Sequence, residues 1–265
     1  MEENIRYLCH NSPKNVFCMP NAGIPENVSG KAHYHLSPDE MQKWATLFVK
    51  DFGVKVVGGC CGTNAEHIKK LSEVSERISP AERKWEFTSS VASLYSISTM
   101  TIDPAPVLVG ERCNANGSRQ FKNLLEKEDY DAMVNMAKEQ VKEGAHVLDI
   151  CVAYVGRDEV RDMTEVIKRF NTAVTLPLMI DSTEVNVIET ALKLYGGRAI
   201  INSINFEEGT SKADKILTLA KRFGAAVVAL SIDEEGQAYD LDKKVAIAKR
   251  IRDHAVEVHN FREED

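Results

Sequence analysis

The 265-residue sequence has no basic tract, no long apolar run and no secretory signal. Lys and Arg number 33 against 40 Asp and Glu, a net charge of −7. Without a basic cluster, neither nucleic acid nor an anionic membrane surface is expected as a partner. No apolar run approaches transmembrane length, and "MEENIRYLCHNS" carries no signal core, so a cytoplasmic location is expected. The common phosphate loops are also missing. No G-x-G-x-x-G follows the first strand and no G-x-x-x-x-G-K-[ST] occurs, which argues against dinucleotide and P-loop chemistry. There is no G-x-S-x-G nucleophile elbow. Cysteines are few: Cys9, Cys18, Cys60, Cys61, Cys113 and Cys151, scattered rather than spaced as a disulfide framework. In a reducing compartment such thiols bind metal or are buried.

What is present is a repeated alternation of short apolar runs and amphipathic stretches. Hydrophobic content of 43% and charged content of 28% are those of a globular protein, and the length suits one large α/β barrel or two smaller domains. Strands are predicted at 16–20 and 54–57, then near 107–111, 146–150, 176–181, 198–203 and 225–232. Ser37-Pro38-Asp39-Glu40 reads as a capping box opening a helix whose Met41, Trp44, Ala45 and Phe48 share one face. Thr63-Asn64-Ala65-Glu66 reads as a second box. Later helices are predicted near 129–143, 159–170, 184–195, 210–223 and 241–257, with Gly144 and Gly224 at helix-ending positions. Residues 79–106, rich in Ser, Thr and Pro, read as an interdomain linker whose Trp85, Phe87 and Tyr95 lie against a surface. The later runs are mostly apolar, as in a parallel sheet covered on both faces, so a barrel or a doubly wound sheet is expected.

Polar residues recur at the carboxyl ends of these runs: Glu111, Asp149, Asp181, Asn202 and Asp233. Burying such groups costs free energy unless they are partnered. In a (β/α)8 barrel the strand carboxyl ends converge on one face. Carboxylates and an amide gathered there suit a flat heterocycle bearing ring N–H and amino groups. A lone Asp after a strand is as readily a helix cap, as Asp181-Ser182-Thr183 illustrates, but a single binding face explains all these positions together. His146, inside an apolar run, reads as a core histidine, and Met133, Met136 and Met163 as core residues.

The pair Cys60-Cys61 follows a strand and two glycines. A disulfide between adjacent residues is disfavoured, because the usual Cα separation across a disulfide exceeds that of neighbours in the chain. Burial as small hydrophobes, or joint ligation of one zinc ion, both remain.

These motifs together resemble cobalamin-dependent methionine synthase. "GGCCGTNAEHIKKL" (58–71) and "MPNAGIP" (19–25) are similar to the end of its homocysteine-binding barrel. "GERCNANGSR" (110–119), "GAHVLDICVAYVGRDE" (144–159), "LPLMIDSTE" (176–184), "GGRAIINSIN" (196–205) and "IDEEG" (232–236) are similar to its pterin-binding barrel. The resemblance covers nearly the whole chain. It implies an α/β fold with parts of two (β/α)8 TIM barrels: 1–78 from the homocysteine barrel, 79–106 a linker, and 107–265 from the pterin barrel, about five βα units long. It also implies that the chain is a segment of a longer enzyme, expected to be unstable or to associate in isolation.

The implied activity is methyl transfer from 5-methyltetrahydrofolate, by way of cob(I)alamin on a domain absent here, to zinc-bound homocysteine. Cys60 and Cys61 would be two zinc ligands. The third ligand of the family lies in a G-x-N-C motif that this chain lacks, and Cys9 and Cys18 have no such context. Asp149, Asp181 and Asn202 would bind the pterin, with Asp181 and Asn202 catalytic. Gly117, Ser118 and Arg119 would contact folate, with Glu111 and Asn114 in the same motif. Cys151 departs from the family, where Asn often follows L-D-x. Two enzyme alternatives are a corrinoid methyltetrahydrofolate methyltransferase and dihydropteroate synthase, both disfavoured by the cysteine-bearing first segment. A third alternative is a non-catalytic pterin-binding or subunit-interaction module completed by another chain.

Overall fold

The computed structural model describes every residue except Glu86. The chain divides into two compact units, Met1–Phe87 and Thr88–Asp265.

The first unit contains α1 (Glu2–Asn11), β1 (Phe17–Cys18), a hairpin of β2 (Glu26–Val28) and β3 (Lys31–His33), α2 (Pro38–Lys50), β4 (Val56–Val57) and α3 (Ala65–Arg77). β1 and β4 pair in parallel, Phe17 opposite Val56 and Cys18 opposite Val57. The Ser37 box forms as expected: Ser37 Oγ accepts the Glu40 N–H at 3.3 Å, and the Glu40 carboxylate accepts the Ser37 N–H at 2.9 Å. The second box differs from its sequence reading. Asn64 is the N-cap and His67 closes the box, because the Thr63 hydroxyl already donates to the Cys60 carbonyl at 2.6 Å. Two small apolar clusters support the unit. One holds Ile5, Cys9, Val16, Cys18, Phe48 and Val54; the other is built on Ala22, Met41, Ala45, Val49, Leu71 and Val74. α1 is missed by pattern reading because it buries only Ile5 and Cys9 and shows no extended apolar face.

The second unit opens with a hairpin, β5 (Ser90–Ala92) and β6 (Ile97–Thr99). Then come β7 (Val109–Gly110), α4 (Arg119–Glu126), α5 (Tyr130–Lys142), β8 (Val147–Ile150), α6 (Glu159–Ala173), β9 (Leu178–Asp181), α7 (Val185–Leu194), β10 (Ile200–Ile204), α8 (Ser211–Phe223) and β11 (Ala226–Ala229). A small hairpin, β12 (Ile232–Asp233) and β13 (Gly236–Gln237), precedes α9 (Leu241–Asp253). Strands β7 to β11 form one parallel sheet in consecutive order. A doubly wound sheet reverses its strand order at a switch point. Consecutive order is that of a barrel wall.

Side chains alternate across this sheet, broken on β10 by an irregularity between Asn202 and Ile204, although the sequence alternates little. Leu148, Ile150, Leu178, Ile180, Ile201 and Ile204 join the large cluster formed with the helices. Val147, Met179, Ile200 and Ala226 belong to a separate cluster on the opposite face. Both faces are apolar at these levels, so burial on both sides hides the period of two. The last residue covers part of one sheet edge: Val227 N–H donates to the Asp265 carbonyl at 2.9 Å, and Arg198 pairs with the Asp265 carboxylate at 2.6 Å.

The region read as a linker has a more definite part. Residues 79–85 stay with the first unit, where Ala81 N–H donates to Val49 O and Arg83 reaches the carbonyls of Cys9 and Ser12. The β5–β6 hairpin belongs to the second. Ala92 and Arg198 exchange backbone hydrogen bonds at 3.0 and 2.8 Å, and fully buried Val91 packs with Val147, Met179, Ile200 and Ala226. The hairpin thus supplies an apolar base to the sheet's inner face. Gly197 makes this docking feasible, since a Cβ there would lie 1.9 Å from the Ala92 carbonyl oxygen. Gly197→Ala is expected to lower stability by about 1–3 kcal/mol, the usual cost of overpacking, read as a drop in denaturation midpoint. An unchanged midpoint would show that the hairpin does not hold the base.

Candidate functional site

On the inner face, one step further along each strand than its residue in the apolar base, β8, β9 and β10 each carry a polar side chain. Asp149 on β8 stands opposite Met179, and Asn202 on β10 stands opposite Asp181 on β9. The same alternation that puts Val147, Met179 and Ile200 in the base puts Asp149, Asp181 and Asn202 above it. Asn114 joins them from the loop after β7. Its Nδ2 donates to Asp149 Oδ2 and to Asp181 Oδ2, both at 2.8 Å. Asn202 Nδ2 donates to Asp149 Oδ1 at 3.4 Å.

Asn114 is held from behind. Its Oδ1 accepts the N–H of Asn116 at 2.9 Å and of Gly117 at 3.1 Å. Ala115 N–H donates to Cys151 O at 2.8 Å, and Cys151 N–H to Cys113 O, so the loop is stitched to the end of β8. The amide is therefore fixed before any ligand arrives.

Asp149 is buried, and burial pushes its carboxyl up to about 6, opposed by the Asn114 hydrogen bond and reinforced by the Asp181 charge. Asp181 is half-buried, and desolvation raises its carboxyl too. Glu111 is exposed and adds negative charge that raises both. Cys151 follows β8 directly. Burial pushes its thiol up to about 12, so it stays protonated, with its side chain hydrogen-bonded to Asp181. A thiol thus serves here as a weak neutral donor.

The other predicted positions fall around this cluster. Ser118 caps α4, its Oγ accepting the Phe121 N–H at 3.2 Å. Exposed Arg119 begins that helix, whose first turn has no acidic residue. Asp233 lies elsewhere, in the β12–β13 hairpin, where Oδ1 accepts the Glu235 N–H at 3.1 Å. The run read as one strand ends at Ala229 and the chain then turns, so Asp233 is no strand-end residue of the sheet. His146 is structural as expected, its Nδ1 accepting the Leu108 N–H at 2.9 Å. Met133, Met136 and Met163 are core.

Sequence reasoning missed the support of the loop after β8. Asp162 is buried and pairs with Arg157 through two hydrogen bonds, 2.5 Å from Nε and 2.8 Å from the second guanidinium nitrogen. Arg157 also reaches Glu128 at 3.4 Å. The R-D-x-x-x-D spacing across a helix start was the signal available for it.

In the first unit, Cys60 and Cys61 are both exposed, with their sulfurs 3.8 Å apart. Two thiolates on one tetrahedral zinc, each at about 2.3 Å, stand about 3.8 Å apart, so the pair fits two positions of such an ion. Their loop is shaped by Gly62, whose φ of +81° is left-handed and whose Cβ would meet the Tyr34 ring at 2.2 Å. Cys9 and Cys18 are buried in a core cluster, where desolvation raises both thiols. Among the described residues, no Cys, His, Asp or Glu completes a triad with the exposed pair.

The second unit thus combines a sheet of barrel topology with a carboxylate–amide cluster at its strand ends. Residues 110–265 match the family model described as pterin binding enzyme, and the chain belongs to that family. Residues 1–75 match the model described as homocysteine S-methyltransferase. Curated relatives point to one kind of member. The chain is 44% identical over 209 residues to the methionine synthase of Mycobacterium tuberculosis (strain ATCC 25618 / H37Rv), covering 79% of this chain and 18% of that protein. It is 42% identical over 214 residues to the methionine synthase of Mycobacterium leprae (strain TN), with the same coverage of each. The chain therefore spans under a fifth of the length of these relatives. Among solved structures, a Xanthomonas albilineans dihydropteroate synthase in complex with indole-2-carboxylic acid and 6-chloroguanine superposes with a TM-score of 0.50. It is 19% identical and covers 67% of this chain and 62% of that one, a likeness of fold. Among the described residues no helix is long and apolar enough to cross a membrane.

The raised Asp149 carboxyl gives a pH signature. The folded group binds its proton more tightly than the unfolded one, so its contribution to stability is full below the ordinary carboxylate range. That contribution is lost as pH rises through about 6. Asp149→Asn abolishes this titration but loses one of the two amide hydrogen bonds that Asp149 accepts. Relative to the parent, the variant should therefore gain up to about 3 kcal/mol between about pH 4 and pH 7, as urea denaturation across that range would show. A stability difference that does not change with pH would overturn this reading.

Proposed function

We propose that the second unit binds the pterin of 5-methyltetrahydrofolate, and that the chain serves methyl transfer to homocysteine in a methyltransferase of the methionine synthase type. The observation that carries this is the Asn114–Asp149–Asp181–Asn202 network, gathered at the strand ends of a chain in the pterin-binding family. A pterin presents an exocyclic amino group and ring N–H donors along one edge and acceptors along another. Carboxylates accept from the first, and an amide serves either. Asp149 anchors from below, while half-buried Asp181 and Asn202 face the ligand.

The reaction leaves a nitrogen anion equivalent at N5 unless a proton is supplied. Protonation at N5 makes the pterin a better leaving group. A carboxyl such as Asp149, held near 6, exchanges protons near neutral pH, which a carboxylate in its ordinary range does poorly. Asp181 and Asn202 are proposed as catalytic: they orient the ring and hydrogen-bond its protonated form. Arg119, with the N-terminal amides of α4, offers positive charge to a substrate carboxylate. Gly117 and Ser118 shape that approach.

Cys60 and Cys61 are proposed as two zinc ligands of the homocysteine site, the third coming from elsewhere in the assembled enzyme. Bound zinc would lower a substrate thiol's pKa and keep its sulfur nucleophilic. Cob(I)alamin, the methyl acceptor from folate, is assigned to a domain outside this chain. The cytoplasm suits these roles, since it keeps such thiols reduced.

Titration with 5-methyltetrahydrofolate tests the reading. The wild-type chain is expected to bind, and Asp181→Ala and Asn202→Ala each to weaken binding about tenfold or more, a loss of roughly 1.4 kcal/mol or above. Failure of the wild-type chain to bind sinks the proposal. Binding without methyl transfer to free cob(I)alamin would instead mark the chain as a pterin-binding module.

A further inference from the structure

A second cluster of ligand-type side chains lies away from the pterin network, between α8 and the end of α9. Asp214 sits in the first turn of α8. α9 passes into a π-helical turn, His254–Val258, and His259 follows it directly. His254 Nε2 lies 2.6 Å and His259 Nε2 2.8 Å from the same oxygen, Asp214 Oδ1. Among the described residues this is the sole group of three metal-capable side chains, their ligand atoms all within 4.8 Å of one another.

The backbone builds this convergence. In a regular α-helix, residues five apart point in different directions, whereas an i→i+5 turn brings them close to one side. The two imidazoles accordingly meet edge to face, ring centres 5.4 Å apart. His254 is further fixed against the Phe206 ring at 5.5 Å. After His259 the chain reverses through Asn260, with a φ of 56°, and is pinned by buried Phe261, whose N–H donates to Ala255 O at 3.1 Å. The Thr210 side chain hydrogen-bonds the Asp214 carboxylate from outside. Such an outer partner orients a ligating group.

We propose that Asp214, His254 and His259 form a binding site for a first-row divalent metal ion of the Zn2+ type. Two imidazole nitrogens and one carboxylate oxygen are borderline ligands suited to zinc and its neighbours. The observed separations are those of a site filled by protons. Around an ion with bonds of about 2.0–2.2 Å, neighbouring ligand atoms stand about 3.3 Å apart, so the two contacts open by about 0.7 and about 0.5 Å. All three side chains are partly exposed and can make that adjustment. Each imidazole would carry its remaining proton on Nδ1 and offer Nε2 to the ion. His254 also lines an open groove of about 520 Å³ with Phe206, Thr210 and Arg250. Bound there, the ion would fasten the end of α9 to α8.

The test uses the full chain carrying Cys60→Ser and Cys61→Ser, so that the thiol pair contributes nothing. Zn2+ is titrated against a chromophoric chelator, and the thermal midpoint is read with and without Zn2+. Expected are one ion bound per chain and a midpoint raised by Zn2+. Asp214→Asn and His259→Gln should each weaken binding about tenfold or more and abolish the Zn2+ shift. The glutamine amide can still donate to Asp214, so His259→Gln keeps the hydrogen bond and serves if the Asp214 variant misfolds. No zinc binding by the chain that lacks the Cys60–Cys61 pair overturns the proposal and leaves the cluster a hydrogen-bonded clasp. Binding that survives His259→Gln undiminished overturns it equally.

Discussion

The second unit is organised around one amide. Asn114 Nδ2 donates to a carboxylate oxygen on each of two neighbouring strands, at 2.8 Å to both. Two carboxylates on adjacent strands lose hydration, which raises both acids, and the Asp181 charge raises Asp149 further. A neutral double donor between them is what lets the arrangement persist. It also requires the amide to be held, which Asn116, Gly117 and the Cys151 carbonyl accomplish through the loop around it. The preorganisation of the site thus rests on backbone contacts that involve no ligand.

The apolar base below is the complement of that polar layer. Val91 comes from a hairpin distant in sequence from the strands it covers, yet it closes the inner face beneath Asp149 and Asp181. Excluding water from that side makes the desolvation of Asp149 one-sided and leaves the open side to a ligand. Destabilised polar groups on a rigid apolar support are a common compromise between stability and function.

The first unit shows the same logic more weakly. Cys60 and Cys61 stand exposed on a loop forced by glycine and held by the Thr63 hydroxyl, while Cys9 and Cys18 are buried nearby as core. Identical side chains thus take opposite fates according to the backbone that carries them. The sulfur separation suits shared ligation of one ion.

The sequence alone determined the βα alternation, the parallel sheet, most helix bounds and the ring of strand-end polar residues, because these follow from local periodicity and from the cost of burying charge. It also carried the family, through motifs such as "GERCNANGSR" and "LPLMIDSTE". Tertiary structure decided the rest. Asp233 and Asp181 look alike in sequence, but only one follows a strand of the sheet, since the chain leaves it after Ala229. Asn114 read as one motif residue among several, and its bridging role needs two strands 35 and 67 residues away. The hairpin read as linker because three-residue strands carry too little period to detect, and its partners are set by the fold. The His254–His259 pair was equally silent, since five-residue spacing means convergence only on a π-helical turn. Local pattern fixes what each segment is, whereas contacts across long sequence separations fix which segments meet.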